Sequence, residues 1–232
     1  MTQEMPLNPP RMRTPRSAAI AGIVFSLLMI TSDLLIWVSI SSDPLGPAAA
    51  VVNHSKIITL ALNLVSFAGV AFLWFIGVVR DRLGELEDRF FATIFLGSGL
   101  LYIAMIFAGA AVAGGILAVL GKGMEGLVPS GAYALGRVEA NQAIHLYATK
   151  MAGVFMTSAS AISLQTRIVP RWIAYLGYAL ATIQLLSFEG IVWVSLAFPV
   201  WVLLYSSYIL IETGRRVQPP PPPPFVYHER QS

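Results

Sequence analysis

The chain predicts an all-α fold, a polytopic membrane bundle of six transmembrane helices with both termini cytoplasmic. Three observations carry that expectation. Of the 232 residues, 56% are hydrophobic and only 12% charged, against about 25% charged in soluble domains, and the mean hydropathy is +0.70. Apolar runs long enough to cross ~30 Å of hydrocarbon recur along the chain. The arginines gather in alternate loops between those runs.

Six runs qualify, at about 18–40, 57–79, 92–119, 143–165, 172–188 and 190–211. RMRTPR ahead of the first has the look of a signal peptide, with PAAAV at 47–51 as small-residue cleavage chemistry. The run itself exceeds the ~7–15 residues of a signal core, so it reads as a retained span. The third run is over-long and predicts tilt. The fifth and sixth are divided by Phe188-Glu189-Gly190, read as a tight hairpin whose glycine makes the turn. Residues 1–16 and 212–232 flank a membrane domain at 17–211, and both flanks read as disordered cytoplasmic segments. The tail holds six consecutive prolines, 219–224, a polyproline II former that is also a candidate ligand for a protein partner.

The loops give direction. Arg11, Arg13, Arg16, Arg80, Arg82, Arg89, Arg167, Arg171, Arg215, Arg216 and Arg230 fall on one side of the threading, leaving Lys56, Lys122 and Arg137 on the other. Cytoplasmic loops are enriched in such cations, so the chain is expected in the cytoplasmic membrane, N-in and C-in. Trp74 and Trp172 fall near inner ends, and Trp37 and Trp193 near outer ends, as interfacial anchors do. Trp201, mid-span, breaks that pattern. The net charge of +3 follows from orientation and implies no nucleic-acid partner; the expected partner is the bilayer. The absence of cysteine excludes disulfides, thiol catalysis and iron–sulfur ligation.

One cation lies within a span. Lys150, in HLYATKMAGVF, is expensive in hydrocarbon and calls for a partner. Asp33 is the acid well inside a span, and counting inward puts both roughly 10–12 Å below the outer surface at 1.5 Å per residue. Asn63 falls in the same layer. Lys150, Gly153, Thr157 and Ser160 make one stripe on their helix; Gly22, Ser26 and Asp33 make another, and Thr59, Asn63 and Ser66 a third. Convergence of the stripes predicts an Asp33–Lys150 pair with Asn63 and Thr157 nearby. It reads as a ligand, ion or proton site, as a register-fixing salt bridge, or as a lysine snorkelling to headgroups. Glu189, Gln184 and His145 extend the same layer as an outer vestibule. No helical metal-ligand spacing, nucleophile motif or phosphate-binding glycine loop occurs, so no metal, cofactor or catalysis is expected.

Span three carries FAGAAVAGG at 107–115, pairing Gly109 with Ala113 and Ala110 with Gly114. Such spacing lets backbones approach, either inside the bundle or between copies in a homo-oligomer. Gly97-Ser98-Gly99 and Pro199 are expected break points of spans three and six, in the manner of inverted repeats. NLVSFAGVAFLWFIGVVRDRLGELEDRFFATIFLGSGLL (63–101) and FMTSASAISLQTRIVPRWIAYLGY (155–178) resemble uncharacterised bacterial integral membrane proteins, six-span families of unknown function. That resemblance implies six helices in a bacterial membrane and carries over no site residue. The function expected is that of a non-catalytic membrane bundle, with a small transporter or permease using the Asp33–Lys150 layer as the alternative.

Overall fold

A computed structural model describes residues 14–39, 48–83, 89–122, 131–187 and 192–215, and every element in them is helical. The helices are α1 (Thr14–Ser39), α2 (Ala48–Asn53), α3 (Ser55–Leu83), α4 (Arg89–Gly121), α5 (Ala132–Gln142), a π-helical segment (Ala143–Ala148), α6 (Thr149–Thr166), α7 (Arg171–Leu186) and α8 (Val192–Arg215). Four of them contain stretches long and apolar enough to cross a membrane: Ser17–Ser39, Ser55–Arg80, Phe90–Gly121 and Trp193–Thr213. The expected fourth and fifth spans correspond to α6, of 18 residues with a further six in its π-helical lead-in, and to α7, of 16 residues. The N-terminal arginines 11 and 13, the Phe188-Glu189-Gly190 turn and the proline tail lie outside the described residues.

Local chemistry sets the boundaries. A single residue, His54, separates α2 from α3, and its carbonyl accepts from the amides of Ile57 and Ile58, both at 3.0 Å. At the end of α6, Arg167 takes a left-handed conformation (φ 54°) and its amide returns to the Ser163 carbonyl at 3.0 Å, a common helix stop. Pro170 is extended and directly precedes α7, so a proline that cannot donate costs the helix nothing there. Neither expected break occurs. Helix α4 runs through Gly97-Ser98-Gly99 and α8 through Pro199, neighbouring helices and side chains being able to support a freed carbonyl.

Six long helices form a ring in chain order. Each of α1, α3, α4, α6, α7 and α8 packs on its predecessor, and α8 closes on α1. Neighbours in the ring run antiparallel. Phe25 meets Phe72 at 4.5 Å while Ser32 donates to the Ala61 carbonyl at 2.9 Å between α1 and α3. On the other side of α1, Phe25 meets Phe198 at 5.9 Å and Trp37 meets Trp193 at 5.5 Å. The start of α1 and the end of α8 therefore lie at one end of the bundle, opposite α2.

Aromatic rings from five helices fill the axis. Phe72 lies 5.2 Å from Phe155 and 5.5 Å from Phe198, Tyr102 lies 4.7 Å from Phe198, and Phe95 lies 4.4 Å from Phe155. These side chains are buried, and the void beneath them, lined by Phe75, Phe95, Trp201 and Tyr205 among others, has no room for a water molecule. Helix α7 supplies no ring and approaches through Gly177 instead. A Cβ there would overlap the Ser160 hydroxyl and meet the Trp201 indole at 3.0 Å. That contact explains the mid-span Trp201: it is buried, and its indole donates to the Ile173 carbonyl at 3.2 Å.

The outer surface is apolar. Phe67, Val70, Leu73, Leu100, Leu101, Ile183 and Leu204 are all exposed, as a lipid-facing surface requires. Trp74 and Trp172 stand exposed toward one end and the Trp37–Trp193 pair toward the other, matching the expected aromatic girdles.

Candidate functional site

The three polar stripes face three different neighbours. On α6, the stripe Lys150, Gly153, Thr157, Ser160 lies along the crossing with α7. Gly153 sits under Leu185 and the Ala181 carbonyl, and Ser160 sits over Gly177. Thr157 donates to its own Gly153 carbonyl at 2.9 Å. Small residues make this contact close; the Thr157 hydroxyl sits inside it bonded back to its helix, while the buried Ser160 Oγ has no hydrogen-bond partner among the described residues.

Lys150 caps the end of α7. Its ammonium donates to the carbonyls of Gln184 at 3.1 Å, Leu185 at 2.7 Å and Ser187 at 2.5 Å. The last carbonyls of a helix have no intrahelical partner and carry partial negative charge, so a cation satisfies both deficits at once. This corrects the expected pairing: among the described residues, Asp33 makes no ion pair with Lys150. Asp33 is half-buried on α1 and acts electrostatically on the buried Tyr102 phenol of α4. Its companions Gly22 and Ser26 are spent on packing and on a bond to the Gly22 carbonyl at 2.8 Å.

The vestibule residues also separate. Gln184 is fully buried and donates across to the Val194 carbonyl of α8 at 3.1 Å, pinning the α7–α8 hairpin. Among the described residues its Oε1 has no hydrogen-bond partner, and neither has His145 Nδ1 in the π-helical segment or Thr149 Oγ1 one turn on. Glu189 lies outside the described residues.

The third stripe turns outward. Thr59, Asn63 and Ser66 are exposed on α3, forming one wall of a cleft of about 780 Å³ between α3 and α4. The second wall is Ala110, Ala111, Gly114 and Ala118, with Phe107 and Leu117 beside them. The two helices touch where Phe107 lies against Gly69 and Ile76 against Gly99, and splay from there toward Ser55 and Leu117. From Val70 to Ser55 the cleft runs roughly 22 Å along α3 at 1.5 Å per residue. Thr59 donates to the Ser55 carbonyl at 2.8 Å, Asn63 to the Thr59 carbonyl at 2.9 Å, and Ser66 to the Leu62 carbonyl at 3.3 Å. An amide side chain has two donor hydrogens and an acceptor oxygen. Asn63 makes that one bond among the described residues, so a donor and Oδ1 face the cleft.

The small-residue motif of span three thus divides between two surfaces. Gly109 packs inside, against Ile144 and the Ala140 carbonyl, while Ala110 and Gly114 line the cleft. The α3 stripe was legible in sequence, but its direction was not: serine and threonine at helical spacing look alike whether they face a core or lipid. No known family model, curated protein or solved structure matches the chain. What stands of the expected membrane bundle is an all-helical fold with four helices long and apolar enough to cross a membrane.

Proposed function

We propose that the chain is a six-span integral protein of a bacterial cytoplasmic membrane, both termini inside, that works without catalysis by recognising another transmembrane helix in the α3–α4 cleft. One observation carries this reading: an exposed amide, Asn63, with two exposed hydroxyl residues, faces a wall of alanine and glycine across an open cleft. An amide left against hydrocarbon forfeits several kcal/mol (about 4–8 on alkane transfer scales). A packed helix removes that cost by supplying hydrogen-bond partners, and alanine and glycine let its backbone come close. The aromatic packing along the bundle axis supports a scaffold better than a channel.

A photoreactive amino acid at position 63, activated in native membranes, is expected to form an adduct with protein. Adducts to lipid alone would overturn the reading. A transporter is favoured instead by one observation, the buried polar atoms of Gln184, His145 and Thr149 toward the α2 end, unpartnered among the described residues. On that reading, solute or proton flux in proteoliposomes would fall on Asp33→Asn substitution.

A further inference from the structure

We propose that the helix received by the cleft is α3 of a second copy of this chain, so that two copies form a symmetric dimer around Asn63. The proposal rests on the helix-recognition reading above. Copies inserted by one mechanism share one orientation, so a two-fold axis relating them runs along the membrane normal, and residues at one depth meet their own counterparts. A stripe on such an axis must complement itself.

The α3 stripe does. Thr59 and Ser66 spend their hydroxyl protons on their own helix and bring no unmet donor to the interface. Asn63 keeps one N–H and Oδ1, the two halves of a reciprocal amide pair, each carboxamide donating to the other. A lone donor or a lone acceptor at this depth would need a different partner; a carboxamide does not. The cleft supplies the room. With only methyl groups or hydrogen along Ala110, Ala111, Gly114 and Ala118, each α4 can receive the partner's α3 closely. The exposed Phe67 and Leu60, both on one side of the polar stripe, become an apolar side of the inserted helix. Each α3 lies in the other copy's cleft, which satisfies both amides and both grooves together.

The chain has no cysteine, so single cysteines placed at successive positions from 59 to 70 report the contact without background. Oxidation of the full-length chain in native membranes is expected to give disulfide-linked dimer with helical periodicity, strongest at Asn63→Cys and present at positions 59, 66 and 70. The buried Val65 and Ala68 are expected to give none. Asn63→Ala is expected to weaken dimerisation about 3- to 30-fold, and Asn63→Gln to retain it, with thermal stability of the monomer unchanged in both. Maximal cross-linking from another face overturns the dimer. A photo-adduct of position 63 with a different protein, without disulfide dimer, overturns it while leaving helix recognition standing. A lipid-only adduct removes both.

Discussion

A cation at the end of a helix meets several half-satisfied carbonyls, and Lys150 meets three. Charge-assisted bonds of this kind contribute about 1.5–3 kcal/mol where they are sheltered from water. Lys150 is half-buried, so Lys150→Met is expected to cost about 1–2 kcal/mol, read as a lower midpoint of thermal unfolding in detergent. Lys150→Arg, which keeps donors and charge, is expected to recover most of it. The exchange Asp33→Lys with Lys150→Asp separates two accounts of this lysine. A direct ion pair would be restored by the swap. With the ammonium on α7 carbonyls, the two changes should add, with a coupling below about 0.5 kcal/mol; a swap that rescues would return Asp33 to Lys150. That Lys150 faces a neighbouring helix was readable from spacing alone. Its partner was not, because main-chain carbonyls are the same in every residue and only the tertiary fold brings the end of α7 to this side chain.

At the scale of elements, close crossings rest on glycine facing serine. Gly177 receives the Ser160 hydroxyl between α7 and α6, and Gly22 receives the Ser206 hydroxyl between α1 and α8. Both serines are fully buried. An added methyl must push a helix or a hydroxyl aside, so Gly177→Ala and Gly22→Ala are each expected to cost about 1–3 kcal/mol. Pairing them with Ser160→Ala and Ser206→Gly removes the obstructing hydroxyl and should return part of the loss. Gly77 and Gly97 meet nothing within 4 Å of a built Cβ, and alanine there is expected to stabilise by up to about 1 kcal/mol through helix propensity. Equal effects at all four sites, measured by thermal unfolding, would mean that propensity rather than packing governs. The helices themselves were largely visible as apolar runs. The short α2 and the π-helical segment were not visible. Six residues of AAAVVN have no period to read, and a π-helical turn differs from an α-helical one in backbone bonding rather than composition.

At the scale of the molecule, the ring order decides how many times the chain crosses. Antiparallel packing of six neighbours in sequence places α6 and α7 alongside helices that are themselves membrane-length. Yet α7, at 16 residues, is about 24 Å long at 1.5 Å per residue, short of the ~30 Å hydrocarbon thickness. A helix of that length crosses if the bilayer thins locally or its ends reach the headgroups. With the N-terminus on the cytoplasmic side, as proposed above, two topologies follow. With six crossings, the α6–α7 connection bearing the exposed Arg167 and Arg171 lies in the cytoplasm with the arginines of the α3–α4 loop. With four, the α6–α7 hairpin stays on the outer side and Arg171 shares the side of Lys122, while the end of α8 is cytoplasmic in both. Termini reporters are therefore blind to the difference, and position 171 is not. In the cysteine-free chain, Lys122→Cys should react with a membrane-impermeant maleimide on intact cells. Arg171→Cys and Arg80→Cys should react only after permeabilisation. Labelling of position 171 from outside, with position 80 still protected, would reduce the bundle to four crossings and leave its ring only partly embedded.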